Sequence, residues 1–360
     1  MGKSLRKYII TDRAFYNQAL LIIIPVALQS IINQGVNMMD TIMLGRLGEV
    51  AISASSLANN FYNIFSFLCM GLSAAGLVLT AQYYGAGDKQ TVQRIFDLLI
   101  QIIFVSSILF GLVSLFFPKQ IMAIYTDDPD VIEEGAKYLR ITAFVYLPHG
   151  ISLVLSNIMR SVGNAKIGLY VSMASFVVNI GANYVFIFGK LGMPVLGVAG
   201  AALGTLCARI VEFGVCTYFV LRVDKALMYR PTGLLKLPSG LLMGEFTRLG
   251  LPAIISDTIL AFATSAIGMI LGHMGREYVT SYSIVSTIDR LCTLATQGVG
   301  SAAGFLVDQA VGAGMREEAK RRGVSFLLLT SALGVIGAIL ILFIDLVRFH
   351  VNENCRSHKK

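Results

Sequence analysis

An aspartate interrupts a long apolar stretch near the start of the sequence, at position 40 of the segment PVALQSIINQGVNMMDTIML. Ser30, Asn33 and Asn37 precede it at helical spacing, so a helix would place all four side chains on one face. A carboxylate at the centre of a bilayer costs about 2.5–3.5 kcal/mol. No lysine or arginine stands one helical turn away from Asp40. We therefore expect Asp40 to bind a proton or a sodium ion; the alternative is a carboxylate at the membrane interface, because Gly45 would end the helix.

Polar side chains recur at the same spacing in two later apolar stretches. The second stretch carries Ser53, Ser56, Asn60 and Asn63, and the fifth carries Ser172, Ser175, Asn179 and Asn183. Hydrocarbon cannot satisfy amides, so three such stripes favour a wet interior cavity. Hydrogen bonds between helices, worth about 0.6 kcal/mol each, are the alternative for any single one of these residues.

Other charged residues within the apolar stretches are weaker candidates. Asp257 lies five residues after Pro252 and is a second possible ion-binding carboxylate. Arg209 and Glu212 stand at i and i+3, a spacing that predicts an ion pair of structural character. Asp289, Arg290 and Asp308 could lie at helix ends or in a cavity, and the sequence does not separate the two.

The composition indicates which solvent surrounds these residues. Of the 360 residues, 55% are hydrophobic and only 14% are charged, whereas soluble domains have about 25% charged residues. The cysteines and histidines are dispersed, and no phosphate-binding, zinc or nucleophile motif is present. We therefore expect a membrane protein that is not an enzyme, holds no cofactor or metal beyond a possible Na⁺ at Asp40, and binds no nucleic acid.

Nine apolar stretches are long enough to cross a bilayer, which needs about 20 apolar residues. Their predicted bounds are 17–44, 52–84, 94–117, 138–159, 168–189, 198–221, 246–271, 279–312 and 323–347. An acidic loop, 118–137, and a Pro- and Gly-containing linker, 222–245, are the long connections. The stretches predict an all-α, polytopic membrane helix bundle.

The distribution of lysine and arginine predicts the orientation of this bundle. The positive residues concentrate in the segments on the same side as the N-terminus, so that terminus is expected in the cytoplasm. The tail VRFHVNENCRSHKK breaks the rule, because it is basic and would lie outside after nine spans. Either one span is miscounted or this ending does not belong to the fold.

A loop sequence occurs twice, as QYYGAGDKQTVQR at 82–94 and QAVGAGMREEAKR at 309–321. The same offset of 227 residues (309 − 82) aligns Pro25 with Pro252 without a gap. Six spans separate the two prolines, so both copies would enter the membrane from the same side. This even number of spans predicts two parallel repeats around a central site, as in many secondary transporters.

Together these segments resemble the multidrug and toxic compound extrusion (MATE) transporters over residues 15–340. The resemblance is carried by Asp40 with LGRLG, GLSAAG with QYYGAG, NIGANYVFIFG with GVAGAALGT, and LGHMG with QAVGAG. It implies secondary active export of cationic, amphipathic compounds, driven by inward H⁺ or Na⁺.

The resemblance also implies an ion site in the first lobe. The family's first-helix aspartate corresponds to Asp40, its fifth-helix asparagine to Asn179, and its sixth-helix threonine to Thr205. The family's acidic residue four positions after that asparagine is Asn183 here, which removes one charge. Some members carry an acid on the seventh helix, where Asp257 falls.

Family members have twelve helices, and this chain predicts about nine. The expected organisation is a six-helix lobe at 1–221, a cytoplasmic linker at 222–245, a partial second lobe at 246–347 and a polar tail at 348–360 that does not resemble the family. A non-transporting truncated copy is therefore one alternative function.

The expected function is antiport of small organic cations across the plasma (inner) membrane by a monomer embedded in the lipid bilayer. Gln34 and Asn37 are the first candidates for contact with a drug or other xenobiotic. A flippase for lipid-linked sugars, from the same superfamily, is the other alternative; the acid and amides of the cavity stripe favour cationic cargo.

Overall fold

The computed structural model describes residues 10, 12–225, 227–231, 233–234, 240–274 and 296–357, and within them every regular element is a helix, with no strand. The helices are α1 (Arg13–Gly45), α2 (Glu49–Gly85), α3 (Lys89–Phe116), α4 (Pro118–Tyr125), α5 (Pro129–Thr142), α6 (Tyr146–Ser161), α7 (Lys166–Phe188), α8 (Val198–Tyr218), α9 (Gly240–Met274), α10 (296–312) and α11 (Arg316–Ser357). A π-helical turn, Phe219–Val223, extends α8.

Among the described residues, six helices are long and apolar enough to cross a membrane, or seven spans if the bent pair of α5 and α6 counts as one. The polytopic all-α prediction is confirmed. The predicted spans over α1, α2, α3, α7 and α8 match helices to within a few residues, and α9 covers the seventh predicted span. The eighth predicted span, 279–312, is described only over 296–312.

The predicted acidic loop at 118–137 is wrong, because this segment folds into α4 and the first part of α5. Asp128 caps α5 by accepting hydrogen bonds from the backbone N–H groups of Asp130 (3.0 Å) and Val131 (3.5 Å), and Pro129 supplies a preset first turn. Met122 and Val131 are buried against α2 and α8, so the acidic residues form only the outer face of these helices.

The predicted span 138–159 is also not one straight helix. Between α5 and α6 the chain bends by 57° at residues 143–145. Pro148 explains the position of the bend, because its ring would clash with the carbonyl of Phe144 in a continuous helix. Both α5 and α6 pack against α2 on either side of the bend.

The core of the first lobe forms around α2, which packs against α3, α5, α6 and α9. Phe65 of α2 and Tyr146 of α6 are fully buried and meet edge to face, with ring centroids 5.0 Å apart. By contrast, Val105 and Val177 are 66% and 69% exposed on the outer faces of α3 and α7. Apolar side chains on the outside are what a lipid environment requires.

The two copies of the repeated loop contact each other. A Cβ on Gly85 would collide with the backbone of Gln309, and a Cβ on Gly312 would collide with the backbone of Gln82. These contacts are reciprocal at the offset of 227 residues, as a two-fold relation between the repeats would require. The duplication itself, and the lobe boundaries drawn from it, stay predictions.

Candidate functional site

The site is centred on the carboxylate of Asp40, at the end of α1 that lies near α7 and α8. The Nδ2 group of Asn183 donates a hydrogen bond to Asp40 Oδ1 at 2.5 Å and a second one to Asn179 Oδ1 at 3.2 Å. Asn179 and Asn183 are 1% and 0% exposed, while Asp40 is half-buried. The structure therefore brings together the three residues that the sequence placed on α1 and α7.

Small residues of α8 allow this arrangement. A Cβ on Gly204 would collide with Asn183 Oδ1, and a Cβ on Gly200 would lie 2.5 Å from the carbonyl oxygen of Phe186. Glycine at both positions lets α8 approach the backbone of α7, as small residues do in membrane helices. The close approach presses the Asn183 side chain toward Asp40.

Tyr138 of α5 is a member of this site that the sequence did not reveal. It is 5% exposed, and its hydroxyl donates to Asn59 Oδ1 at 3.4 Å. The same hydroxyl interacts with Thr205 and lies within the electrostatic reach of Asp40. Thr205 is thus brought to the site, as the resemblance implied. No spacing signal could have found Tyr138, because it directly follows the segment 118–137, which was predicted to be a loop.

The predicted ion pair of Arg209 and Glu212 is confirmed, with Arg209 Nη1 at 2.6 Å from Glu212 Oε2. Ser175 of α7 donates a second hydrogen bond to Glu212 Oε2 at 3.3 Å. The Arg209 charge also acts on Asp40, although no hydrogen bond joins them. The pair is therefore an electrostatic neighbour of the candidate ion site.

The first partners of Asp40 are neutral. Within the described part of the chain, no lysine or arginine nitrogen lies within 4.0 Å of the Asp40 carboxylate, and Arg209 makes its ion pair with Glu212. Asn183 and the nearby side chain of Asn179 are the neutral groups that interact with the carboxylate. The carboxylate is therefore able to take up a proton or a cation.

The polar stripes of α1 and α2 have a different environment from the stripe of α7. Asn37 is exposed and Gln34 half-buried on α1, and Ser53, Ser56, Asn60 and Asn63 are all exposed on α2. The stripe of α7 is buried throughout. The α1 and α2 stripes thus present amides on an open surface that begins beside Asp40.

The remaining predicted charges lie elsewhere. Asp257 is half-buried on α9, and the structure gives no hydrogen bond or ion pair between it and the Asp40 group. Asp308 of α10 interacts with Gln82 at the contact of the repeated loops. Asp289 and Arg290 fall outside the described residues.

Comparison with known proteins gives a family match. The family model described as MatE matches residues 25–185 and 252–349. The chain is 26% identical over 327 residues to a probable multidrug resistance protein, NorM, of Agrobacterium fabrum, covering 90% of this chain and 70% of that protein. It is 27% identical over 306 residues to a probable multidrug resistance protein, NorM, of Streptococcus pneumoniae, covering 84% of this chain and 66% of that protein.

Solved structures share the fold. A transporter of the MOP superfamily from Pyrococcus furiosus superposes with a TM-score of 0.80 at 19% identity, covering 91% of this chain and 72% of that one. The outward-facing conformation of a multidrug resistance MATE transporter superposes with a TM-score of 0.79 at 18% identity, covering 90% and 71%.

The resemblance inferred from the sequence is thereby confirmed for the chain as a whole. The relatives are longer, and this chain spans roughly two thirds of their length. The family match covers both copies of the repeated loop region together with Asp40, Asn179 and Asn183, and α8 lies between the two matched segments. The chain belongs to the MatE family of multidrug and toxic compound extrusion transporters.

Proposed function

We propose that this protein exports small organic cations from the cell, in exchange for inward H⁺ or Na⁺, and that Asp40 is the coupling carboxylate. The observation that carries the proposal is the environment of Asp40. Its hydrogen-bond partner is a neutral amide, and no cationic side chain of the described residues forms an ion pair with it. A partly buried carboxylate in this state needs a mobile cation for neutrality.

The binding of ion and cargo would exclude each other. An unoccupied Asp40 attracts a cationic compound to the surface formed by the α1 and α2 stripes, where Gln34 and Asn37 offer amide contacts. A proton or sodium ion on Asp40 removes that attraction. The ion therefore promotes release of the cargo on the side from which it enters. The oxygens of Asn179 and Thr205 are the neighbouring groups that could complete a sodium site.

Orientation and location are part of the same proposal. The concentration of basic residues favours a cytoplasmic N-terminus in the plasma membrane. The protein would act as a monomer in the bilayer. Relatives named as probable multidrug resistance proteins support a drug or another xenobiotic as the cargo.

The test is ethidium transport by the purified protein in proteoliposomes with an imposed proton or sodium gradient. Asp40→Asn keeps the size of the side chain but removes its charge, so gradient-driven transport should fall by at least 100-fold, to background. Glu133→Gln, on the 66% exposed side chain of a surface ion pair, is the matched control and should transport normally.

Two results would reject the proposal. The first is ethidium transport by Asp40→Asn at the wild-type rate under the same gradient. The second is thermal protection of the protein by a lipid-linked sugar but by no organic cation, which would favour the flippase alternative.

A further inference from the structure

The candidate ion site continues into a second buried charge cluster, on the side of Asp40 toward α8. Arg209 and Glu212 form its centre, and Ser175 of α7 hydrogen-bonds to Glu212. The Glu212 side chain is 10% exposed and that of Arg209 is 25% exposed. These are not surface charges, so their balance matters for the stability of the lobe.

Arg209 forms an ion pair with one carboxylate and lies within the electrostatic reach of a second. Its hydrogen bond goes to Glu212 Oε2 at 2.6 Å, while its charge also acts on Asp40. Two negative groups and one positive group leave the cluster with one negative charge in excess. An excess charge on groups that are largely removed from water favours the binding of a proton or another cation.

The other titratable side chains that face this cluster are uncharged. Tyr62 of α2 interacts with Arg209, and His149 of α6 packs against the Tyr62 ring with centroids 5.3 Å apart. Neither ring nitrogen of His149 has a hydrogen-bond partner among the described residues, and a buried imidazolium would need two acceptors. Tyr138, Cys69 and Cys216 complete the titratable neighbours, from α5, α2 and α8.

We propose that Glu212 is the second carboxylate of the coupling site, and that Arg209 sets the number of coupling cations at one by neutralising one of the two acids. This inference rests on the proposed function of Asp40. It assigns a role to a pair whose sequence spacing indicates only a local structural contact. It also explains how a site with Asn183 in place of an acid retains two carboxylates: the second one comes from α8.

The proposal predicts how many cations the protein binds, and this number depends only on the charges of Asp40, Glu212 and Arg209. With both acids and Arg209, one cation restores neutrality. In Glu212→Gln, Arg209 loses its carboxylate and becomes the fixed counter-charge of Asp40, so no cation is needed. In Arg209→Gln, no positive side chain balances Asp40 and Glu212, so two cations are needed. The double variant, Arg209→Gln with Glu212→Gln, carries only the Asp40 charge and should again bind one cation.

The experiment is a calorimetric titration of the purified full chain in detergent with sodium at alkaline pH, together with proton uptake measured in weakly buffered solution as the pH is lowered. We expect stoichiometries of one for wild type, zero for Glu212→Gln, two for Arg209→Gln and one for the double variant. Arg209→Lys and Glu212→Asp preserve the charges and should each bind one cation, even where their thermal midpoints are lower.

The outcomes separate this inference from the proposed function. A wild-type protein that binds no cation overturns both. Wild-type binding that is lost in Asp40→Asn but unchanged in Glu212→Gln overturns the role of Glu212 alone. A purely structural pair would lower binding in both single variants without recovery in the double variant, and this result would also reject the inference.

Discussion

At the scale of single residues, the Asp40 site depends on how closely α8 approaches α7. Asn183 is fully buried, and its amide is held between Asp40 and Asn179 on one side and the backbone of Gly204 on the other. This contact leaves no room for a methyl group. The position of the Asp40 carboxylate's hydrogen-bond donor is thus fixed by a glycine on a different helix.

Gly204→Ala tests this dependence. The new Cβ would collide with Asn183 Oδ1, so either the amide or α8 must move, at a cost of about 1–3 kcal/mol for an overpacked site. We expect a lower thermal midpoint in detergent and at least a tenfold weaker cation affinity. The control is Gly214→Ala on the same helix, where nothing lies within 4 Å of a Cβ. Equal midpoints for the two variants would contradict the prediction.

The sequence predicts part of this site and not the rest. Asp40, Asn179 and Asn183 were found because polar residues at helical spacing in apolar stretches are costly and therefore informative. Tyr138 was missed because a tyrosine near a helix end has no such cost. The proximity of Arg209 to Asp40 was missed because it depends on the packing of two helices that are far apart in the sequence.

At the scale of helices and loops, the linker between the two lobes is attached to α3. Gln93, Asp97 and Gln101 stand at steps of four residues and form one polar stripe on that helix. Gln93 Nε2 donates to Leu227 O at 3.3 Å, and Gln101 Nε2 donates to Leu234 O at 2.7 Å. The Tyr229 hydroxyl donates to Asp97 Oδ1 at 2.5 Å. The side chains of this stripe therefore contact the linker and do not line a cavity.

Composition predicted the linker but not its attachment. The Pro and Gly residues of 222–245 indicate turns, and the described part of this segment has few regular elements before α9. Its side-chain contacts with α3 could not be predicted, because one polar stripe looks like another in a sequence. Only the fold distinguishes the amides that face the site from those that hold a loop.

Tyr229→Phe should release this linker. The substitution keeps the ring, which packs on Phe96 at 5.0 Å between centroids, but removes a hydrogen bond to a carboxylate worth about 1.5–3 kcal/mol. Trypsin should then cleave after Lys225 about ten times faster, since about 1.4 kcal/mol corresponds to a tenfold change.

The control for the linker experiment is Tyr184→Phe, on a 51% exposed tyrosine of α7, which should be cleaved at the wild-type rate. Burial and the neighbouring Asp97 carboxylate raise the pKa of Tyr229. A group with a raised pKa keeps its proton as the pH rises, so Tyr229 remains a donor and linker protection should not change between neutral and mildly alkaline pH. Unchanged cleavage in Tyr229→Phe would show that the hydrogen bond does not hold the linker.

At the scale of the whole molecule, the described contacts between the lobes lie toward one end of the helices. Ser30 donates to Gln297 Oε1 at 3.3 Å, the Arg160 guanidinium donates to Ser301 Oγ at 3.1 Å, and Tyr83 donates to Glu245 at 2.7 Å. Beyond Ser30 along α1, Asn33 and Asn37 are exposed, as is the stripe of α2. Among the described residues, the two predicted lobes are therefore held together at the end that carries the repeated loops.

The reciprocal glycine contacts stabilise this closed end. If they act as a pair, Gly85→Ala and Gly312→Ala should have similar effects, because each places a methyl group against the backbone of the opposite glutamine. We expect the two loops to move apart. Spin labels on cysteines at Lys89 and Arg316, which follow the two contacts at equivalent positions, should give a longer interspin distance in either variant than in wild type.

Gly300→Ala is the matched control for this last prediction, since Gly300 lies on α10 with nothing within 4 Å of a Cβ. It should leave the interspin distance unchanged. An effect of Gly312→Ala without one of Gly85→Ala would mean that the contact is not shared equally by the two loops. Two contacts related by a two-fold axis should be weakened equally by the same added methyl group. Unequal effects would therefore show that the two-fold relation inferred from the repeated loop sequence does not hold for the stability of this contact.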